Sequence, residues 1–198
     1  VPYDAINGEI PADPSVCDAW ITTGSRHSVN DDEPWIRRLE EFVRDVEAAG
    51  VPFVGICFGH QLIAKALGGT VVESERGWGI GIKEVEVRDG LGLGGSYRIL
   101  NSHRDQIERI PPGAEVLGWN EDCPVAMLGV GDSMIGIQGH PEFEKRYSKA
   151  LMEMRRGNVI SENIVAAGLA SLDETPDSAL LADWILGFVR KPRIEETG

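Results

Sequence analysis

The side chains of this chain best equipped for chemistry are a thiol, an imidazole and a carboxylate, carried by two short runs. The first is Gly55-Ile56-Cys57-Phe58-Gly59 and the second Gly139-His140-Pro141-Glu142. A G-x-C-x-G run between an apolar strand and a helix is the cysteine counterpart of a nucleophile elbow, in which small neighbours allow a strained turn to lift the reactive atom above the sheet edge. The helix that follows directs free N–H groups and the positive end of its dipole at Cys57, which favours the thiolate, the nucleophilic form. In the second run an imidazole is followed two residues later by an acid, across a proline that stiffens the spacing. Cys57 as nucleophile, His140 as proton shuttle and Glu142 as the acid that orients the imidazole make a complete set for attack on a carbonyl carbon. The oxyanion so formed needs donors, and the Phe58 N–H and the Gly24-Ser25 loop are the candidates.

Each run also has a plainer reading. Cysteine is among the most buried residue types and is usually inert, and His-Pro-Glu alone reads as a surface turn. The two glycines beside Cys57, and the presence of both runs in one chain, favour catalysis. Of the other histidines, His60 falls inside the helix after the elbow and reads as structural, and His27 is a loop residue with no assigned task. His103 follows a strand, where a substrate contact and a satisfied loop histidine are equal readings. Gly92-x-Gly94 has no helix opening behind it and does not make a phosphate site.

Positioning these groups requires a sheet. Val51–Ile56 is an apolar, β-branched run and predicts the strand before the elbow, with a helix over Phe58–Leu67 behind it. Upstream, Asp18–Thr23 predicts a strand that ends in the polar loop Gly24–Val29. Asp31-Asp32-Glu33-Pro34 then supplies a helix start, and Trp35, Ile36, Leu39, Phe42, Val43 and Val46 recur at helical spacing before Gly50. Strand, helix, strand, elbow, helix is a βαβα series, and right-handed crossovers make its strands parallel. Downstream, Thr70–Glu73 and Gly79–Val87 predict strands of a more antiparallel region, where Val85 and Val87 alternate with Glu84 and Glu86. Tyr97–Leu100, Ala114–Trp119, Val125–Val130 and Met134–Gln138 follow as short strands, then helices over Tyr147–Arg155, Ile160–Leu169 and Leu180–Val189. Val1–Ile6 reads as the tail of a strand, and a fold of this kind calls for an earlier strand at the sheet centre, so N-terminal residues are expected before Val1.

Composition narrows the function classes. A length of 198 residues with 42% hydrophobic content suits one domain spanning 1–198. A net charge of −13 disfavours nucleic acid and anionic membrane as partners. Cys17, Cys57 and Cys123 are odd in number and lack metal-ligand spacing, so neither a disulfide framework nor a zinc site is suggested and a reducing cytoplasm is the expected compartment; no metal and no cofactor are expected. No run reaches the length of a membrane span and no signal peptide opens the chain.

Gly55-Ile56-Cys57-Phe58-Gly59-His60-Gln61, Gly139-His140-Pro141-Glu142 and the intervening Ser102-His103-x-Asp105 together resemble the class I, triad-type glutamine amidotransferases. The likeness runs from about Asp18 to Phe143 and is nearest to the stand-alone branch similar to the GMP synthase amidotransferase domain and to γ-glutamyl peptidases. It implies an α/β fold of flavodoxin-like type: a mostly parallel sheet flanked by helices, a smaller antiparallel region, and C-terminal helices beyond a bare glutaminase domain. It implies a γ-glutamyl thioester on Cys57, oxyanion N–H groups from Gly24 and Phe58, a grip on the amino-acid end of the substrate by Gln61, and backbone contacts to it from Ser102 and His103. Arg104 departs from the family, whose synthetase-linked members carry glycine there.

Three functions fit. A glutaminase would release ammonia from glutamine for an unidentified acceptor, with a separate synthetase as its partner. A γ-glutamyl peptide hydrolase would use the same thioester with a peptide or amine leaving. A binding or scaffold protein would keep the fold without turnover, although all three residues of the set are present. In the first two the partner in the cleft is a small molecule, glutamine or a γ-glutamyl compound.

Overall fold

The computed structural model describes residues 1–190. Three strands, β1 (Trp20–Thr22), β2 (Phe53–Ile56) and β9 (Met134–Ile137), lie side by side and parallel, with Trp20 opposite Phe53 and Gly55 opposite Gly136. The sheet continues antiparallel through β8 (Met127–Val130), β7 (Ala114–Trp119), β4 (Gly79–Val87) and β5 (Ser96–His103), giving the order β1-β2-β9-β8-β7-β4-β5. The sheet is therefore mixed, with its parallel pairings gathered at the end that carries the elbow. A second sheet pairs β3 (Thr70–Glu73) with β6 (Asp105–Arg109).

Helices cover both faces. α1 (Pro34–Ala48) starts with proline in its first turn, where no amide donor is needed. Its Ile36, Leu39, Phe42, Val43 and Val46 are buried in one apolar cluster with Phe53 of β2 and with Leu62 and Ile63 of α2 (Phe58–Ala66). On the other face Val54 and Ile56 of β2 meet Ile135 and Ile137 of β9 and Leu181, Ile185 and Phe188 of α5 (Ser178–Val189). Because alternate residues of β2 serve opposite clusters, the strand is apolar at every position rather than at every second one. α3 (Lys145–Arg155) and α4 (Glu162–Ala170) close a third cluster of Ile80, Met152, Ile160 and Val165.

Three local expectations need correcting. Val1–Ile6 forms no strand: Asp4 caps a short 3-10 turn over Ala5–Asn7 by accepting from the Asn7 N–H at 3.2 Å. β5 runs on through Ser102 and His103, so both lie on a strand opposite Ile80 and Gly79, not in a loop. β6, sequence DQIER, was not anticipated, since only Gln106 and Ile107 are buried and the polar remainder carries a weak strand signal.

Candidate active site

Every key group sits just past the carboxyl end of a parallel strand: Gly24 after β1, Cys57 after β2, His140 after β9. Adjacent strand ends in an α/β sheet form a crevice of this kind. At the elbow Cys57 has φ 51° and ψ −96°, and among the described residues no other non-glycine has positive φ. Its N–H extends the ladder to Ile137 O at 2.8 Å and its carbonyl accepts from the Gln61 N–H at 3.1 Å, so the strained turn is held from both sides. The flanking glycines are a packing requirement. A Cβ at Gly55 would stand 2.4 Å from the Gly59 carbonyl carbon, and one at Gly59 would stand 2.5 Å from Thr22 O. α2 thus starts pressed against β2 and β1, which aims its N-terminus at the sulfur.

His140 is buried and tied to β5, its N–H donating to Leu100 O at 2.8 Å. Its Nδ1 lies 2.7 Å from Glu142 Oε1, an arrangement that keeps the proton on Nδ1 and leaves Nε2 as the basic nitrogen. Phe143 stacks on the imidazole with centroids 3.8 Å apart, and Tyr147 of α3 meets Phe143 edge-on. Gly24 shows how near the two reactive groups are: a Cβ there would be 2.8 Å from His140 Cε1 and 3.7 Å from Cys57 Cβ. The loop after β1 therefore passes against both side chains, and only glycine leaves it room.

The thiol is not the thiolate that the helix dipole alone would favour. Burial, then the Glu142 charge, pushes the Cys57 pKa up to about 12, with Asp105 adding to the rise, against the Phe58 N–H and the Arg155 charge, which lower it. Removing the sulfur from water outweighs the one N–H, that of Phe58, which the start of α2 directs at it. A neutral thiol is a poor nucleophile until a base takes its proton. The Nε2H₂ of Gln138, the residue after β9, also points at Sγ from 3.7 Å, a contact that sequence reading missed because glutamine carries no motif there.

A cleft of about 220 Å³ opens over Cys57, lined among others by Phe58, Gln61, Ser102, His103, Asp105 and Arg155. Gln61 does not reach into it freely, since its Nε2 donates to Asp105 O at 2.7 Å and to Gln138 Oε1 at 3.1 Å. His103 is buried, with Nδ1 unpartnered, and burial holds it neutral with a pKa of about 3. Ser102 Oγ accepts from Arg155 Nη1 at 2.9 Å. Arg104 turns to Glu73 at 3.4 Å and to Asp105 at 3.6 Å. His60 is fully enclosed against Val125 O at 3.0 Å, and His27 sits at the cleft mouth beside Asp31, 3.2 Å away. Among the described residues no group of three or more His, Cys, Asp or Glu is placed to hold a metal ion, and no helix is long and apolar enough to cross a membrane.

Fold and site together define an α/β protein that presents a cysteine elbow and a His–Glu pair at adjoining strand ends. The chain belongs to the class-I glutamine amidotransferase family, whose model matches residues 17–155. It is 32% identical over 177 residues to a glutamine amidotransferase-like protein of Schizosaccharomyces pombe, covering 86% of this chain and 71% of that one. It is 30% identical over 202 aligned residues to γ-glutamyl peptidase 2 of Arabidopsis thaliana, covering 96% of this chain and 82% of that one. A glutamine-hydrolysing GMP synthase of Natranaerobius thermophilus is 33% identical over 151 residues, 74% of this chain but 26% of the synthase. Among solved structures, a glutamine amidotransferase of Methylobacillus flagellatus matches with TM-score 0.71 and 26% identity over 91% of this chain and 77% of that one. One from Thermotoga maritima shares the fold at TM-score 0.79 and 21% identity, over 95% of this chain and 85% of that one.

Proposed function

We propose that this protein hydrolyses a γ-glutamyl amide through a thioester on Cys57, with glutamine as substrate and glutamate and ammonia as products. The observation that carries the reading is the convergence of Cys57, Gly24 and the Glu142-held His140 at three adjacent strand ends. His140 Nε2 takes the thiol proton as Sγ bonds to the γ-carbonyl carbon, and the carbonyl oxygen becomes an oxyanion. The Phe58 N–H and the backbone of the Gly24 loop are the donors for that oxygen. Collapse breaks the C–N bond, and the leaving nitrogen takes the proton from His140 Nε2. Water, deprotonated by the same nitrogen, then attacks the thioester and returns the thiol. Glu142 keeps its bond to Nδ1–H throughout, so each proton passes through Nε2.

A second reading, cleavage of γ-glutamyl peptides, is favoured by the relatives that match nearly full length. The Arabidopsis γ-glutamyl peptidase is matched over 82% of its own length, whereas the GMP synthase is matched over 26% of its own. Transfer of the released ammonia to a separate synthetase remains compatible with the first reading, as does a cytoplasmic setting. The test is direct: the purified protein is incubated with glutamine and with a panel of γ-glutamyl dipeptides, and glutamate, ammonia and released amino acid are quantified. Glutamine-dependent ammonia, with a diazo-ketone glutamine analogue adding its mass to the Cys57 peptide alone, is the expected result. Dipeptide cleavage with negligible ammonia would replace the first reading by the second. Absence of both turnover and Cys57 labelling would leave only a binding protein.

A further inference from the structure

We propose that Arg155 is the carboxylate anchor of the cleft and takes the α-carboxylate of the γ-glutamyl unit. This rests on the reading that the cleft accepts γ-glutamyl compounds. Arg155 is the last residue of α3, fifteen positions beyond His140 and outside every motif. It is half-buried, its guanidinium carbon stacked 4.9 Å over the Trp78 ring and its Nη1 held 2.9 Å from Ser102 Oγ. These two contacts fix the plane of the fork without neutralising it. Eight arginines, Arg104 and the adjacent Arg156 among them, have a carboxylate within 4.0 Å. Arg155 has none among the described residues, in a chain where 32 acids outnumber 19 bases.

A half-buried guanidinium without a counter-ion is costly unless something else brings the negative charge, and a planar fork is matched to a carboxylate. Arg155 opens onto the same cleft as Cys57, and its charge is felt at the sulfur. The carboxylate common to glutamine and all γ-glutamyl peptides is the α-carboxylate. It travels with an ammonium, and the cleft also contains Asp105, whose carboxylate accepts from Ser28 Oγ at 2.5 Å, lies 3.6 Å from Arg104 Nε and has lone pairs left for a further donor. A cleft with one pole of each sign fits an amino-acid head better than the lone carboxylate of a leaving peptide. The other cleft arginines serve less well: Arg104 is committed to Glu73 and Asp105, and Arg26 is exposed on the loop after β1.

The test is a substrate-by-variant cycle on the full chain. Glutamine and its α-amide are hydrolysed by the wild type, Arg155→Gln and Arg155→Lys, with Arg26→Gln as a comparison. Wild type should lose about 10²-fold in kcat/KM when the α-carboxylate becomes an amide, roughly the worth of one charge-assisted pair. Arg155→Gln should lose a similar factor on glutamine, mainly through KM, and should no longer distinguish the two substrates. Arg155→Lys, which keeps charge but not the fork, should retain part of the discrimination, and Arg26→Gln all of it. Full discrimination in Arg155→Gln overturns the proposal. So does loss of discrimination at a γ-glutamyl dipeptide's C-terminal carboxylate instead of the α-carboxylate. If the wild type hydrolyses nothing, the catalytic reading fails separately. The anchor is then tested by calorimetric binding of glutamine and its α-amide to Cys57→Ala and to Cys57→Ala/Arg155→Gln: a preference for glutamine present in the first and absent in the second upholds it, and equal preference overturns it.

Discussion

Lowering the pH from 7 to 5 should destabilise the protein through two buried imidazoles, one of which, His103, lines the cleft over Cys57. His60 and His103 are buried, and burial holds their pKa values at about 4 and about 3, with the neighbouring His140, His60 and Lys83 adding to the depression at His103. An unfolded histidine titrates near 6.5. The folded-state values lie below the unfolded one, so at pH 5 the folded rings stay neutral while the unfolded chain binds protons. The stability concerned is fully present above pH 6.5. It is lost as the pH falls towards about 4 for His60 and about 3 for His103, with no further loss below those values. At about 1.4 kcal/mol per pH unit, the 1.5 units between 6.5 and 5 cost roughly 2 kcal/mol per ring, and about 4 kcal/mol for both. That is a large share of the ~5–15 kcal/mol typical of a folded domain. The assay is urea unfolding followed by tryptophan fluorescence at the two pH values, for wild type and His60→Gln. Glutamine can still donate to Val125 O but does not titrate. The variant should start less stable at pH 7 and then lose about 2 kcal/mol less than wild type on going to pH 5. An equal loss in the two proteins would refute the argument that His60 is held neutral.

Two further outcomes follow from the site geometry. Gly24→Ala should lower kcat by 10- to 10²-fold while shifting the melting temperature by only a few degrees, because a Cβ 2.8 Å from His140 Cε1 must displace either the imidazole or the loop by about half an ångström; steady-state kinetics beside a thermal melt decides it, and full activity would show that the loop does not position the base. His140→Ala should abolish nearly all turnover and Glu142→Ala should reduce it less, since the carboxylate at 2.7 Å orients the imidazole but transfers no proton; a silent Glu142→Ala, read as kcat against pH, would reduce the set to a dyad.

Much of the fold was legible because its signals are local. The period of Ile36, Leu39, Phe42, Val43 and Val46 fixes a helix face, and the unbroken apolar run through β2 announces a strand buried on both sides. The elbow could be read for the same reason: Gly55, Cys57 and Gly59 are neighbours in sequence, and a side chain at either glycine would run into nearby backbone. His140 and Glu142, two residues apart, were legible as a pair. DQIER was not, because β6 is a strand only where β3 lies alongside it to satisfy its backbone.

Other features existed only in three dimensions. No sequence pattern places β9 beside β2, yet that pairing, Ile56 opposite Ile137, brings Gln138 to the sulfur and His140 to the same sheet edge as Cys57. Nor does sequence reveal the protonation state of the thiol: the helix dipole argues for thiolate, and the burial that reverses the balance comes from elements far apart in the chain. Arg155 illustrates the same limit. By sequence it is one more charged residue at a helix end. Its role depends on Trp78 and Ser102, 77 and 53 positions away, which hold it at the cleft without cancelling its charge. The sequence determined the candidate reactive groups and the elements that carry them, because local spacing specifies those. Tertiary structure decided their surroundings, because burial and charge compensation are properties of neighbours that the chain brings together only when folded.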